Sequence, residues 1–339
     1  MTAQGRVRVL VADDSPLFRE ALRQLVEADP DFELVGVAAN GEEAAAVART
    51  RRPDVITMDL HMPDADGFSG IARIMAETPT PILVLAADPS ESSGFQALSL
   101  GALDILAKPS PDQDLGTYGS LLRMRLRLLA GVKVIRHPRG LRSRGQAGAR
   151  PPAARRSLLV VGASLGGPRA LAQIFRALPA DLPVPVAVVQ HIADGFADGL
   201  ATWLDLESPL EVRTAADRDA LVPGRVLIAP GGRHLEVEEG RVRLRDGPPI
   251  ETFRPSVNPL FASAARSYGP RACGLLLTGM GRDGADGLKA LRDAGGYTMA
   301  QDEATCAVFG MPRAAIEAGA VDRVVPLDDI PRALLELVR

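Results

Sequence analysis

Cysteine is almost missing: 339 residues hold only two, Cys273 and Cys306, both in apolar surroundings. That excludes a disulfide framework and a thiolate zinc site, and predicts two buried thiols. No apolar run reaches the roughly 18 residues that a membrane-spanning helix needs. The opening stretch MTAQGRVRVLVADD lacks the apolar core and cleavage site of a signal peptide, so a cytoplasmic location is the expectation, without membrane insertion. A net charge of −3 gives no ground for wholesale nucleic-acid binding. No repeat at solenoid periods is evident. What is present is an ordinary globular balance, 46 % hydrophobic and 24 % charged, which excludes a disordered chain. The length is comfortable for two domains.

Charge is distributed unevenly. From Gly131 to Arg156 the chain carries one lysine, seven arginines and no acid, which leaves 31 basic against 42 acidic side chains elsewhere, about −11. This stretch is rich in Gly, Pro and Ala and has no periodicity, so it reads as a flexible linker. A solvated tether explains its charge, and docking onto an acidic partner is the alternative. The expected division is residues 1–125, a linker over 126–156, and residues 157–339.

In the first segment, five short β-rich runs alternate with helical patterns: RVLVA, FELVGVA, VITM, ILVL and LDIL. Such alternation implies parallel crossover units and a doubly wound sheet, with the working site beyond the carboxyl ends of the strands. Those ends carry Asp13 and Asp14, then Asp59, then Lys108 followed by Pro109. A single acid at a strand end is ordinarily a turn former or a helix cap. Three at one sheet edge repel each other unless a cation joins them, and Mg2+ suits oxygen ligands of this kind. An ammonium nearby would pair with an incoming anion, so the set suits a phosphoryl group carried on Asp59.

With VADDSPLFREAL, PDVITMDLHMPDADGF and GALDILAKP, this segment resembles the response-regulator receiver domain, a flavodoxin-like fold. The resemblance implies that Asp59 accepts a phosphoryl group from a histidine kinase, that Asp13 and Asp14 join Asp59 around Mg2+, and that Lys108 pairs with the phosphate. Two positions depart from the pattern. Ala86 stands where Ser or Thr usually follows the fourth strand, and Ile105 replaces the usual aromatic three residues before the lysine. Weak or altered coupling between phosphoryl group and surface is therefore expected.

After the linker comes SLLVVGASLGGPRALAQIF, an apolar strand and a helical pattern joined by Gly162-Ala-Ser164-Leu-Gly166-Gly167. The glycines permit a sharp strand-to-helix turn with Ser164 at its tip. The helix N-terminus behind it offers N–H groups and positive potential, which suits a serine whose attack makes an oxyanion. A phosphate-binding loop and a plain turn stay open for this motif, although the second glycine of G-x-G-x-x-G is missing. A base must come from four histidines. His61 neighbours Asp59 and His137 lies in the linker, which leaves His191 after the strand PVAVVQHI and His234 after a Gly-Gly turn. The orienting carboxylate would be Asp283 or Asp286, with Asp286 the better placed to cap the helix that follows. The order Ser, His, Asp differs from that of α/β-hydrolases, so the topology should differ too.

VVGASLGGP, VVQHIADGF, VLIAPGGRHLEV, LLLTGMGRDGADG and QDEATCAVFGMPRAA resemble the catalytic domain of the chemotaxis protein-glutamate methylesterases, the CheB family. A receiver, a linker and this mostly parallel, doubly wound α/β domain, in this order, match that family's architecture over nearly the whole chain. The resemblance implies Ser164 as nucleophile, His191 as base and Asp283 as orienting carboxylate, with Leu165 and Met280 in the oxyanion environment. It implies hydrolysis of glutamate γ-methyl esters on methyl-accepting chemotaxis receptors, deamidation of receptor glutamines, and no metal in that step. A chemotaxis histidine kinase would be the phosphodonor, and phosphorylation would relieve inhibition by the receiver. Leu165 departs from the usual Ser or Thr, and Asn258 stands where an acid is expected. Three rivals accompany this reading: the same chemistry on a non-chemotaxis receptor array, a phosphate sink or scaffold with a silent esterase, and a nucleotide-binding enzyme.

Overall fold

The structure is a computed structural model and describes residues 5–62, 66–87, 93–110, 112–132 and 156–338. The chain divides into two units, Met1–Gly140 and Leu141–Arg339.

In the first unit β1 (Val7–Ala12), α1 (Pro16–Glu27), β2 (Phe32–Ala38), α2 (Gly41–Arg51), β3 (Val55–Asp59), α3 (Gly67–Glu77), β4 (Ile82–Ala86), α4 (Ser93–Ser99), β5 (Asp104–Ala107) and α5 (Leu115–Ala130) alternate strictly. The strands form one parallel sheet in the order β2-β1-β3-β4-β5. The inner strands read as continuous apolar runs because helices cover both faces of such a sheet; Val9, Leu10, Val11, Ile56 and Val84 are wholly buried. Four helices begin on side-chain caps: Ser15, Asn40, Asp66 and Asp114 each accept a first-turn N–H. None of these caps is Asp13, Asp14 or Asp59, so capping does not account for the three acids at the sheet edge.

Residues at both ends of the expected linker have described structure. Helix α5 continues to Ala130, because Leu126 and Leu129 are wholly buried apolar positions three apart on one helix face. Arg156, assigned to the linker, is buried in the second unit, where its N–H bonds to Leu337 O and its guanidinium lies 5.8 Å from the Tyr297 ring centroid. The rest of the basic stretch, residues 133–155 with His137, lies outside the described residues.

The second unit contains β6 (Leu158–Ala163), α6 (Gly167–Arg176), β7 (Val186–Gln190), α7 (Phe196–Glu207), β8 (Glu211–Thr214), β9 (Arg225–Ile228), β10 (His234–Glu238), β11 (Arg241–Arg245), α8 (Val257–Ser267), β12 (Ala272–Leu276), α9 (Ala285–Asp293), β13 (Tyr297–Gln301), α10 (Met311–Glu317), β14 (Arg323–Val325) and α11 (Ile330–Val338). Seven strands pair in parallel in the order β14-β13-β12-β6-β7-β9-β8. The chain reverses direction across the sheet at β6, whose neighbours are β12 and β7, and the carboxyl ends beside such a switch point form a natural crevice. The hairpin β10–β11 is antiparallel and packs its Leu235, Val237 and Val242 into the core that holds Leu260 and Phe261 of α8. Ser263 Oγ accepts from Val237 N and Tyr268 Oη from Gly240 N, which pins α8 to the hairpin. That pinning fixes where the N-terminus of α8 points.

Candidate active site

Ser164 is the first residue beyond β6 and is 6 % exposed. Its N–H bonds to Thr278 O at 3.0 Å, and Gly166 turns the chain into α6 with φ +78°, a conformation that favours glycine. His191 is the first residue beyond β7. Ala163 pairs with Gln190, so Ser164 and His191 leave neighbouring strand ends side by side, about 4.8 Å being the spacing of paired strands. The His191 N–H donates to Ala163 O at 2.9 Å, which locks the two ends together.

The His191 ring uses one nitrogen structurally. Nε2 lies 2.7 Å from Asp283 Oδ2, while Nδ1 is buried without a protein partner. Phe253 stacks on the imidazole, centroids 3.8 Å apart and planes 5° apart. The ring borders a cavity of about 280 Å³ lined also by Ile192, Asp194, Thr252, Phe253 and Arg254.

Asp283 is wholly buried, and the start of α8 supplies its partners. Ser256 Oγ donates to Oδ1 at 2.7 Å, Val257 N to Oδ2 at 2.7 Å and Asn258 N to Oδ1 at 3.1 Å. This is an anion seated on the unpaired N–H groups and positive end of a helix. Burial alone pushes the Asp283 carboxyl pKa up, but hydrogen bonds from His191, Val257 and Ser256 outweigh it and hold it below the usual value. The charge that should orient the imidazole is therefore well supported.

Two alternatives fall away. His234 is buried, with Nδ1 accepting from Ser256 N at 3.2 Å and Nε2 against Pro248 O at 3.0 Å, so both nitrogens hold structure. Asp286 is exposed, pairs with Arg282 at 3.1 Å and does not cap α9; Gly284 occupies that cap position with φ +89°. The cap expected of Asp286 is supplied instead by Asn258, whose Oδ1 accepts from Gly284 N and Gly287 N at 3.1 and 2.8 Å. Of the two cysteines expected to be buried, Cys273 is, whereas Cys306 is only half-buried.

Leu165 is buried and Met280 half-buried, in the loops that follow β6 and β12. Among the described residues neither backbone N–H has an acceptor.

In the first unit the carboxylates of Asp13, Asp14 and Asp59 each place an oxygen within 4.8 Å of the others. Lys108 Nζ bridges Asp13 at 2.7 Å and Asp59 at 2.8 Å, and sits 5.0 Å from the Phe18 ring centroid. Burial raises the Asp13 pKa above its ordinary value, despite the Lys108 bond. Burial lowers the Lys108 pKa, but its bonds to the two acids reverse that and leave it raised. A hard divalent cation fits this all-oxygen set. The two positions flagged in the sequence lie together: a Cβ at Gly94 would come 3.3 Å from Ile105 Cδ1 and 3.9 Å from Ala86 Cβ.

Phe253 and the α8 N-terminus escaped the sequence reading. Ser256, ahead of an apolar helix, was the usable signal, since a helix start is an anion site.

Comparison with known proteins agrees with both halves. The family described as CheB methylesterase matches residues 159–334, and the response regulator receiver domain matches residues 9–118. The protein-glutamate methylesterase/protein-glutamine glutaminase 2 of Anaeromyxobacter dehalogenans is 70 % identical over 333 residues, covering 98 % of this chain and 97 % of that protein. A protein of the same description from Symbiobacterium thermophilum is 40 % identical, covering 99 % of this chain and 98 % of its own. The crystal structure of the Thermotoga maritima CheB methylesterase catalytic domain is 41 % identical, covers 55 % of this chain and 100 % of that one, and superposes with a TM-score of 0.52.

Proposed function

This chain belongs to the CheB methylesterase family with a receiver domain ahead of its catalytic domain, and from that premise we propose that Ser164, His191 and Asp283 carry its hydrolysis. It is a protein-glutamate methylesterase/protein-glutamine glutaminase. The observation that carries the triad is the state of the His191 ring: Nε2 is taken by Asp283, and Nδ1 is buried and unpaired at the strand end beside Ser164.

With Nε2–H held by Asp283, Nδ1 keeps a lone pair to take the Ser164 proton as Oγ attacks the carbonyl of a glutamate γ-methyl ester. The tetrahedral oxyanion is met by the free N–H groups of Leu165 and Met280, each worth about 3–4 kcal/mol by analogy with known oxyanion donors. The imidazolium returns its proton to the departing methanol. Water activated by the same Nδ1 then cleaves the acyl-enzyme, leaving a glutamate and the free serine. Deamidation follows the same course with ammonia as leaving group.

The substrates are methyl-accepting chemotaxis receptors, and a chemotaxis histidine kinase phosphorylates Asp59. Asp13, Asp14 and Asp59 would hold Mg2+, which when bound neutralises charge around the incoming phosphoryl group. Lys108 is placed to move from the two acids onto the phosphate. Methanol release from methylated receptor membranes, by wild type and Ser164→Ala with and without a small-molecule phosphodonor, tests this. Loss of release in the variant is expected; near-wild-type release would overturn the triad.

A further inference from the structure

Gln190 is the last residue of β7 and is 2 % exposed. Its Nε2 donates both protons inside the site, to Ser164 O at 2.7 Å and to His191 O at 2.9 Å. A single amide thus ties the main chain of the nucleophile to that of the base. Its Oε1 is buried without a protein partner and faces the first turn of α6, where a Cβ on Gly167 would come within 2.0 Å of it. The amide has one workable orientation, because turning it over would set Oε1 against two carbonyl oxygens.

A trans peptide points its C=O and its N–H in opposite directions. Ser164 O is held from one side by Gln190 Nε2 and by Gly167 N at 2.8 Å. The other end of that peptide is the Leu165 N–H, which is therefore turned away from Gln190. Thr278 Oγ1 donates to Leu165 O at 2.9 Å and fixes the next peptide as well. We propose that Gln190 is a positioning residue for the hydrolysis, aiming the Leu165 N–H at the developing oxyanion while fixing the base beside the serine. This rests on the triad and oxyanion assignment given above.

The test is methanol release by the full chain with phosphodonor present. Gln190→Met keeps the length of the side chain and removes both donated bonds. It should lower kcat about 100-fold, the scale of losing one oxyanion donor, with KM within about twofold. Gln190→Glu must carry a proton to donate even one of the bonds, and burial favours that proton. Its rate relative to wild type should rise as pH falls from about 8 to about 6, a signature that simple loosening of the fold would not give. Gly167→Ala, which presses a methyl on Oε1 while leaving the Gln190 side chain in the sequence, should lower kcat in the same direction and covers the case of a Gln190 variant that does not fold. A Gln190→Met kcat within threefold of wild type, a change in KM alone, or a Gln190→Glu ratio flat with pH would overturn the proposal. Ser164→Ala run alongside separates the two readings: if it keeps its activity, the triad assignment has failed; if it is dead while Gln190→Met is fully active, only the positioning role has.

Discussion

Phe253 lies flat against His191, with ring centroids 3.8 Å apart and planes within 5°. The two rings are far apart in sequence, and both border the cavity beside the strand ends. The stack shields one face of the imidazole and restricts its rotation, which keeps Nδ1 directed at one place. Stacked aromatic pairs add about 0.5–1.5 kcal/mol beyond area burial. Phe253→Ala should therefore lower kcat roughly tenfold by freeing the ring, with a stability loss of about 1–2 kcal/mol for a half-buried side chain. Phe253→Tyr should stay close to wild type in both. Steady-state methanol release and thermal melting check the pair.

Asp283→Asn keeps the size of the side chain but removes the charge that α8 and His191 share. An amide facing the imidazole allows the wrong tautomer, and kcat should fall about 10³–10⁴-fold, as in other triads. The same residue predicts a pH effect on stability. The Asp283 pKa is held below its ordinary value of 3.8 in the folded protein. A lowered carboxyl contributes stability that is fully present above the unfolded pKa and is lost as pH falls through the folded one. Wild type should therefore lose stability below about pH 4 more steeply than Asp283→Asn, whose catalytic domain lacks this contribution. Melting temperature against pH, compared between the two, gives the sign directly; equal slopes would refute it.

The strand–helix alternation, the acids and Lys108 at their separate strand ends, and the Ser164 turn were legible because each strand end or turn is marked by its own neighbouring residues. A β-branched run, a glycine pair or an acid at a strand end keeps its meaning locally. What escaped was supplied from a distance. Asp283 owes its burial and charge to Ser256, Val257 and Asn258, more than 20 residues earlier, and no local pattern links them. Asn258 illustrates the limit: the sequence marked it as a departure, but only the fold reveals that its Oδ1 caps α9. The cap was assigned to Asp286 because local order favours a near acid, whereas tertiary packing delivered an amide from another helix.

Removal of Mg2+ should separate the two halves of the chemistry. Chelation with EDTA should abolish transfer from a small-molecule phosphodonor to Asp59 and leave esterase turnover without phosphodonor unchanged. Asp59→Asn should lose labelling even with Mg2+ present. Mg2+ should also stabilise the receiver thermally, by about 2.7 kcal/mol at a concentration 100-fold above its dissociation constant. The measurements are phosphodonor-dependent labelling, methanol release and melting with and without the metal. Esterase activity lost on chelation in the absence of phosphodonor would contradict the assignment of the metal to the receiver.

Ala86→Thr tests whether the missing hydroxyl limits control. Ala86 ends β4 beside Gly94 and Ile105, and its methyl offers no hydrogen-bond donor to a phosphoryl group on Asp59. A hydrogen bond from a hydroxyl to a charged oxygen is worth about 1.5–3 kcal/mol. A ligand shifts a two-state equilibrium only by its difference in affinity for the two states, so a donor that bonds only the phosphorylated form adds its energy to the switch. If half of the bond is expressed in that difference, the ratio of esterase rates with and without phosphodonor should rise about three- to tenfold. The rate without phosphodonor should not change, because the added hydroxyl then has no phosphoryl oxygen to meet. A ratio unchanged by Ala86→Thr would place the limit on coupling elsewhere, with Ile105 the next position to restore as an aromatic.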